Sequence, residues 1–392
     1  MKEMSISDND IKNIKGLTMF IRKVFLPLCL LVFVLSCQNT NKIVQEFDGR
    51  AEQIQMHYAP DLSLAVFKAE LSHDNRKWIL QGETSVPEAK RDIVSLADSL
   101  LGGENYQNEF VELPHPSLGD STYGLVSVSV ANLREKPEHS AQLVDQNIMG
   151  RTLRLLKNQG GWYLIQTEYG YIGWMRRESF HRTDLEGVED WGKADKVRVI
   201  ELFPLAYSKP DEQSEPVTDL VLNSTLRAEG KVGGWTKVST PDGRIGFIRN
   251  EFVSNEVQQY VSPEKLRKSI IQTARRMLGF PYLWGGNSTK GNDCSGFTQT
   301  VFKTNGIDIL RDAGQQAREG EEVIPNEQFS NILPGDLLFF GSGEGITHVG
   351  ISLGGAEFIH QSGDVHINSL NPEAENFSAY RRNSLKKIKR FF

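Results

Sequence analysis

Residues 122–258 repeat on themselves, and this repeat restricts the fold more than any other feature of the chain. Lys136-Pro137 recurs as Lys209-Pro210, Thr152-Leu153-Arg154 as Thr225-Leu226-Arg227, and Gly160-Gly161-Trp162 as Gly233-Gly234-Trp235. Gly170 and Ile172-Gly173-Trp174 return as Gly243 and Ile245-Gly246-Phe247, always at an offset of 73 residues and without a gap. Each copy has short strand-forming runs broken by Gly, Pro and Asp, with one or two large aromatics to fill a small core. That pattern predicts two small β-barrels in tandem. Two pairs break the repeat in chemically telling ways: Glu135 stands opposite Ser208, and Tyr171 opposite Arg244. Taken alone, such differences are equally well explained as drift on a solvated surface. The polar stretch His181 to Lys196 is expected to link the copies.

The remaining length leaves room for more. At 392 residues, 39% hydrophobic and 24% charged, the chain is too apolar for disorder and long enough for two to four domains. Its formal net charge of -6, without long basic runs, gives no electrostatic case for nucleic-acid binding. Its three cysteines, Cys29, Cys37 and Cys294, are too few for a disulfide scaffold or a four-cysteine zinc site.

Two of these cysteines belong to the N-terminus. Arg22 and Lys23 precede an apolar run, Val24 to Leu35, that closes with Val34-Leu35-Ser36-Cys37. At about 12–14 residues the run falls short of the about 20 that a spanning helix needs. Its flanks disfavour a buried core helix and predict a secretory signal peptide over 1–36. Met19 makes a better start than Met1, because it sets the basic pair four residues in. Cys37 after Leu35-Ser36 resembles a bacterial lipobox, which implies a lipidated Cys37, a leader over 37–56 and attachment to an envelope membrane. One free thiol, Cys294, then remains, a liability in an oxidising compartment unless it is buried or used.

Between leader and repeat, residues 57–121 read as a small α/β elaboration of the first barrel. Leu62, Leu64, Val66 and Phe67 suggest one strand and Trp78 to Leu80 another. A helix opens at Pro87 and stops at Gly102-Gly103. A third pattern begins after the repeat. Ser262 as N-cap and Pro263 as first helical residue predict a helix running to Leu278 and ending at Gly279. A Gly-rich turn, a second helix over about Cys294 to Thr304, and strands at Asp336 to Phe340, His348 to Leu353 and Glu357 to Gln361 follow. Helices first and a strand meander afterwards indicate an α+β domain.

Chemistry gathers in this third part. Cys294 opens the second helix, where free backbone N–H groups favour a thiolate. On that motif alone, a nucleophile and a buried structural cysteine stand level. Val349, Ile351 and Leu353 point to one face of their strand, which leaves His348 on the other. His360 shares a face with Phe358 on the next strand and is placed to touch the ring of His348. A base and its orienting partner need that arrangement. A Cys/His/His zinc site is the rival reading, although catalytic zinc sites usually add a general base and closer ligand spacing.

Together these stretches resemble the NlpC/P60 family of papain-like cysteine peptidases, and the repeats resemble bacterial SH3 (SH3b) domains. The matching segments are Pro281 to Gly286, Asp293 to Gly296, Arg311 to Gln316, Pro334 to Leu337, Thr347 to Gly350 and Phe358 to His360, in order. The resemblance implies an α+β papain-like catalytic domain over 259–392, behind SH3b barrels at 122–182 and 183–258. It implies Cys294 as nucleophile, His348 as base, His360 as orienting residue, and the Tyr282 hydroxyl with the Cys294 N–H as oxyanion donors. No metal or other cofactor is implied. The layout is similar to γ-D-glutamyl-L-diamino acid dipeptidyl-peptidases, which cut that bond in murein peptides bearing a free N-terminal L-Ala. Carried over, the resemblance places Glu135, Tyr171 and Asp293 around the α-ammonium and Ser295 among the substrate contacts. Ala313 departs from it, since relatives often carry Ser there. Two other readings are a wall-binding lipoprotein, or murein hydrolase of intact peptidoglycan, and an amidase or acyltransferase on the same fold. The first, with a degenerate site, predicts loss of Cys294, His348 or His360, and all three are present.

Overall fold

The computed structural model describes residues 40–74, 77–103, 105–255 and 262–392; the expected signal peptide and Cys37 lie outside them. Among the described residues no helix is long and apolar enough to cross a membrane. Residues 40–62 and 66–113 form one compact unit, and 63–65 with 114–392 a second.

In the first unit the expected linker is a helix, α1, over 40–58. Phe47 and Ala51 are buried one turn apart on one face of it. The strands Phe67–Asp74, Lys77–Thr84 and Tyr106–Glu112 form a sheet in that order. The first pair is antiparallel and the second parallel. Helix α2, Pro87–Leu101, makes the parallel crossover, burying Ala89, Ile93, Leu96 and Ala97 and ending at Gly102 with φ 75°. Most of the expected barrel elaboration is therefore a unit of its own. Residues 62–65 are turn rather than strand.

The repeat survives in three dimensions. Strands beginning at Tyr123, Leu143, Thr152, Trp162, Ile172 and Phe180 have counterparts beginning at Lys196, Pro216, Thr225, Trp235, Ile245 and Val253. Both seven-stranded sheets have the same strand order. Leu133, Leu153, Ile165 and Met175 fill the first core, and Ala206, Leu226, Val238 and Ile248 the second. The polar stretch between them is not a plain linker. It folds into α3, Leu185–Lys193, capped by Asp184, and buries Trp191, whose Nε1 donates to the Gly150 carbonyl at 3.0 Å.

Beyond the barrels, α4 (Pro263–Arg276) has Ser262 as its N-cap and α5 spans Cys294–Thr304. Both pack on a six-stranded antiparallel sheet. In spatial order its strands are Glu321–Glu322, Leu385–Arg390, Leu337–Ser342, Gly345–Gly354, Glu357–Ser362 and Asp364–Ser369. Phe297, Val301 and Phe302 of α5 are fully buried against Val349 and Ile351. Each contributes roughly 1.5–3 kcal/mol to that contact. The strand Leu385–Arg390 is legible only in place: Lys389 pairs with Glu322 and Arg390 with the buried Asp336, so a basic run sits between two strands.

Candidate active site

Asp293 takes an extended backbone and accepts the N–H of Gly296 at 2.8 Å, which starts α5 at Cys294. Position 296 must be glycine, because a Cβ there would stand 2.0 Å from the Gly286 carbonyl oxygen. This close approach holds the helix end against the Gly-rich turn and points Cys294 toward the sheet.

Burial, with the neighbouring Asp293 carboxylate second, pushes the Cys294 thiol up to about 11. The backbone N–H groups of Val349 and Ser295 and the charge of Arg311 act the other way and are outweighed. The thiolate expected from the helix terminus is therefore not the resting form.

Val349 follows His348, so the strand that touches the sulfur also carries the imidazole. His348 Nε2 lies 2.8 Å from His360 Nδ1, and His360 Nε2 lies 3.0 Å from Asn368 Oδ1. Asn368 Nδ2 donates to the Asn376 carbonyl, which fixes the amide so that its oxygen faces His360. The network then assigns itself. His360 donates from Nε2 and accepts at Nδ1, so His348 carries its proton on Nε2 and keeps the Nδ1 lone pair free to act as a base. Gly350 makes room for this dyad, since a Cβ there would come within 3.0 Å of the His360 Cβ. Burial, followed by the charges of Arg381, His360 and His366, holds His348 down to about 2. Burial likewise holds His360 down to about 3. Thiol and imidazole are both neutral at rest.

Cys294 opens into a cavity of about 450 Å³, a size ordinary for small-ligand sites. Tyr282, Trp284, Asp293, Ser295, Asp312 and Ala313 line it from the catalytic side, and Gln142, Val144 and Tyr171 from the first barrel. Burial, then Cys294 and Asp293, pushes the Tyr282 phenol up, so its hydroxyl is a standing donor. Ala313 presents a methyl where the resemblance led one to expect a hydroxyl.

Of the three expected ammonium ligands, Tyr171 and Asp293 line the cavity and Glu135 does not. Glu135 is exposed at the end of its strand and is not among the residues lining the cavity. Asp293 is saturated: Oδ1 accepts from Ser295 Oγ, Gly296 N and Arg311 Nη1, and Oδ2 from Gly285 N and Arg311 Nη2. These donors match the about four lone-pair sites of a carboxylate. The carboxylate that faces Tyr171 is Asp312, whose Oδ2 and Oδ1 receive the hydroxyl at 3.3 and 3.4 Å. Ser295 lines the cavity while its Oγ joins Asp293 to Arg311.

Arg311 was visible in sequence only as part of a motif. It is 1% exposed and binds Asp293 on one side and Asp145 of the first barrel, 2.6 Å from Nε, on the other. Asp145 also receives the Tyr169 hydroxyl and Asn287 Nδ2. No local pattern links positions 145 and 311. Among the described residues no group of His, Cys, Asp and Glu side chains is arranged to hold a metal ion.

Comparison with known proteins agrees with this geometry. Residues 279–382 match the NlpC/P60 family, 133–180 the bacterial dipeptidyl-peptidase Sh3 domain, and 206–254 the bacterial SH3 domain. The gamma-D-glutamyl-L-lysine dipeptidyl-peptidase of Bacillus subtilis is 33% identical over 226 residues, covering 55% of this chain and 71% of its own. The chain belongs to the NlpC/P60 family. It is a cysteine peptidase of α+β fold with two bacterial SH3 domains. Dipeptidyl-peptidase 6 of Lysinibacillus sphaericus is 29% identical over 258 residues, 64% of this chain and 92% of its own. The crystal structure of an NlpC/P60 family protein from Bacillus cereus superposes with a TM-score of 0.59 at 23% identity, covering 68% of this chain and 99% of that one. That likeness speaks for the fold.

Proposed function

We propose that the protein hydrolyses the γ-D-glutamyl–diamino acid bond of short murein peptides with a free N-terminal L-Ala, releasing L-Ala-γ-D-Glu. The observation that carries this reading is the wall of the cleft. A barrel residue, Tyr171, shares the cavity with Cys294 and hydrogen-bonds a carboxylate, Asp312, of the catalytic part. A carboxylate and a phenol at a walled end suit an ammonium better than a continuing chain. The names of the relatives, one a gamma-D-glutamyl-L-lysine dipeptidyl-peptidase, support the same bond.

In this reading Cys294 Sγ attacks the γ-carbonyl while its proton passes to Nδ1 of His348, so the charged pair forms during attack rather than before it. The Tyr282 hydroxyl and the Cys294 N–H receive the oxyanion. His348 returns the proton to the leaving amine, and water then hydrolyses the thioester. The lipobox resemblance supports export and anchoring of the enzyme in the cell envelope through Cys37, where it would act on peptides released from the wall.

N-acetylation of the substrate tests the reading. Two charge-assisted hydrogen bonds at roughly 1.5–3 kcal/mol each amount to at least about a hundredfold in kcat/KM. The free tripeptide is expected to be preferred by that factor, and Asp312→Asn to erase most of it while Glu135→Ala leaves it within about twofold. Equal rates on the free and N-acetylmuramoyl tripeptides would instead identify a hydrolase of intact wall.

A further inference from the structure

The histidine end of the site carries a cation that none of the steps above uses. Arg381, on the short helix α6 (Ala379–Ser384), is half-buried. Its Nη2 donates to Ser362 Oγ at 3.1 Å, at the end of the strand that bears His360. Its guanidinium carbon lies 5.6 Å from the centroid of the Phe340 ring, which is itself 5.8 Å from that of His348. Among the described residues no carboxylate pairs with it, whereas Arg311 and Arg390 each hold one or two. Burial works against its charge, and the acidic groups acting on it are the Tyr380 hydroxyl and the Cys294 thiol. A partly desolvated guanidinium without a counter-charge is stabilised by an arriving carboxylate, for which its geometry is suited.

The polarity of the site says which carboxylate. Asp312 and Tyr171 lie at the barrel end, where the N-terminal ammonium belongs in the reading above. A chain continuing past the scissile bond on the side of the histidines would lead toward Arg381. Asp312 in the cavity wall and Arg381 beside the histidines would together complement a short zwitterionic peptide. We infer that Arg381 receives a carboxylate of the diamino acid released by cleavage, so that the enzyme selects peptides in which this residue is a free acid. This rests on the proposed dipeptidyl-peptidase reading and extends it to the leaving side.

The test compares kcat/KM for L-Ala-γ-D-Glu-L-Lys and its C-terminal amide, using the full chain with Arg381, Arg381→Gln or Arg381→Lys. The acid should be favoured about tenfold by the unaltered enzyme, the worth of one charge-assisted hydrogen bond. Arg381→Gln should bring the acid down to the amide, mainly through KM, and leave the amide within about twofold. Arg381→Lys should restore part of the preference. The α-amide of the diaminopimelate tripeptide, which keeps only the distal carboxylate, identifies the source. An Arg381-dependent advantage over the lysine amide assigns the distal group, and its absence assigns the α-carboxylate. A variant that slows acid and amide alike would make Arg381 a support for Phe340 and the histidines and overturn the inference, as would equal use by the unaltered enzyme of the lysine acid, the lysine amide and the diaminopimelate α-amide. No cleavage of any of these peptides by the unaltered enzyme overturns the substrate reading itself, and the inference with it.

Discussion

Replacing Arg311 by Met keeps the length of the side chain and removes the one positive charge between two buried carboxylates. The guanidinium makes contacts of 2.6 Å to Asp145, 2.7 and 3.1 Å to Asp293, 3.0 Å to Ser295 Oγ and 3.4 Å to the Gly286 carbonyl. Without it Asp293 keeps two backbone N–H groups and Ser295, and Asp145 keeps Tyr169 and Asn287. These remaining donors soften the loss, so the cost should be that of breaking one buried pair, about 3–5 kcal/mol, not two. At about 2–4 °C per kcal/mol for a unit of this size, the melting temperature should fall by roughly 10 °C. Burial already raises the carboxyl of Asp145 above its usual range against the pull of Arg311, and Met removes that pull. A carboxyl whose folded pKa is raised is most stabilising below its unfolded pKa and loses this as pH rises through the folded value. The deficit relative to the unaltered protein should therefore shrink on acidification. Adding Asp145→Asn to Arg311→Met should recover part of the loss, because it takes away the stranded charge. Thermal melts of the four proteins at pH 5 and 7.5 read all of this. A neutral Arg311→Met, or an Asp145→Asn whose damage simply adds to it, would refute the coupling of barrel and catalytic helix through this arginine.

Two further expectations follow from the neutral dyad. His348 and His360 have folded values of about 2 and 3, below the about 6.5 of an unfolded histidine, so the unfolded state takes up protons first. Their contribution is complete above about pH 6.5 and falls as pH drops, by up to about 1.4 kcal/mol per unit for each ring. Urea titrations between pH 7 and 4.5 should show a shallower slope for His360→Gln than for the unaltered protein, and parallel slopes would contradict the burial. Alkylation of Cys294 should keep accelerating past pH 9, since the thiol is raised to about 11. His348→Ala should abolish hydrolysis while leaving that profile nearly in place, whereas a plateau below pH 7 would reveal a standing thiolate–imidazolium pair.

What was legible in the sequence followed local periodicity and capping. Ser262-Pro263 and Asp293-Cys294 start helices where caps and a first-turn proline place them, and alternation along Val349 to Leu353 put His348 on the face away from Val349 and Ile351. The offset of 73 residues foretold two barrels with the same strand order. Helices α1 and α3 were missed because each buries little, Phe47 and Ala51 in one and Trp191 in the other, too sparse a stripe to stand out from polar surroundings. The site was opaque in the sequence where its contacts are tertiary. Asp293 has the residue type of an ammonium ligand, and only the fold shows Arg311 occupying it. Asp312 takes its place from a partner 141 positions away, Tyr171, and Arg381 from Ser362 on a neighbouring element.

The central claim is that Cys294 drives cleavage of one particular amide bond. Mass analysis of L-Ala-γ-D-Glu-diamino acid tripeptide after incubation with the enzyme, and with Cys294→Ala, tests it most directly. The account predicts equimolar L-Ala-γ-D-Glu and free diamino acid from the unaltered protein and intact tripeptide from the variant. Release of free L-Ala, or the same products from Cys294→Ala, would contradict it.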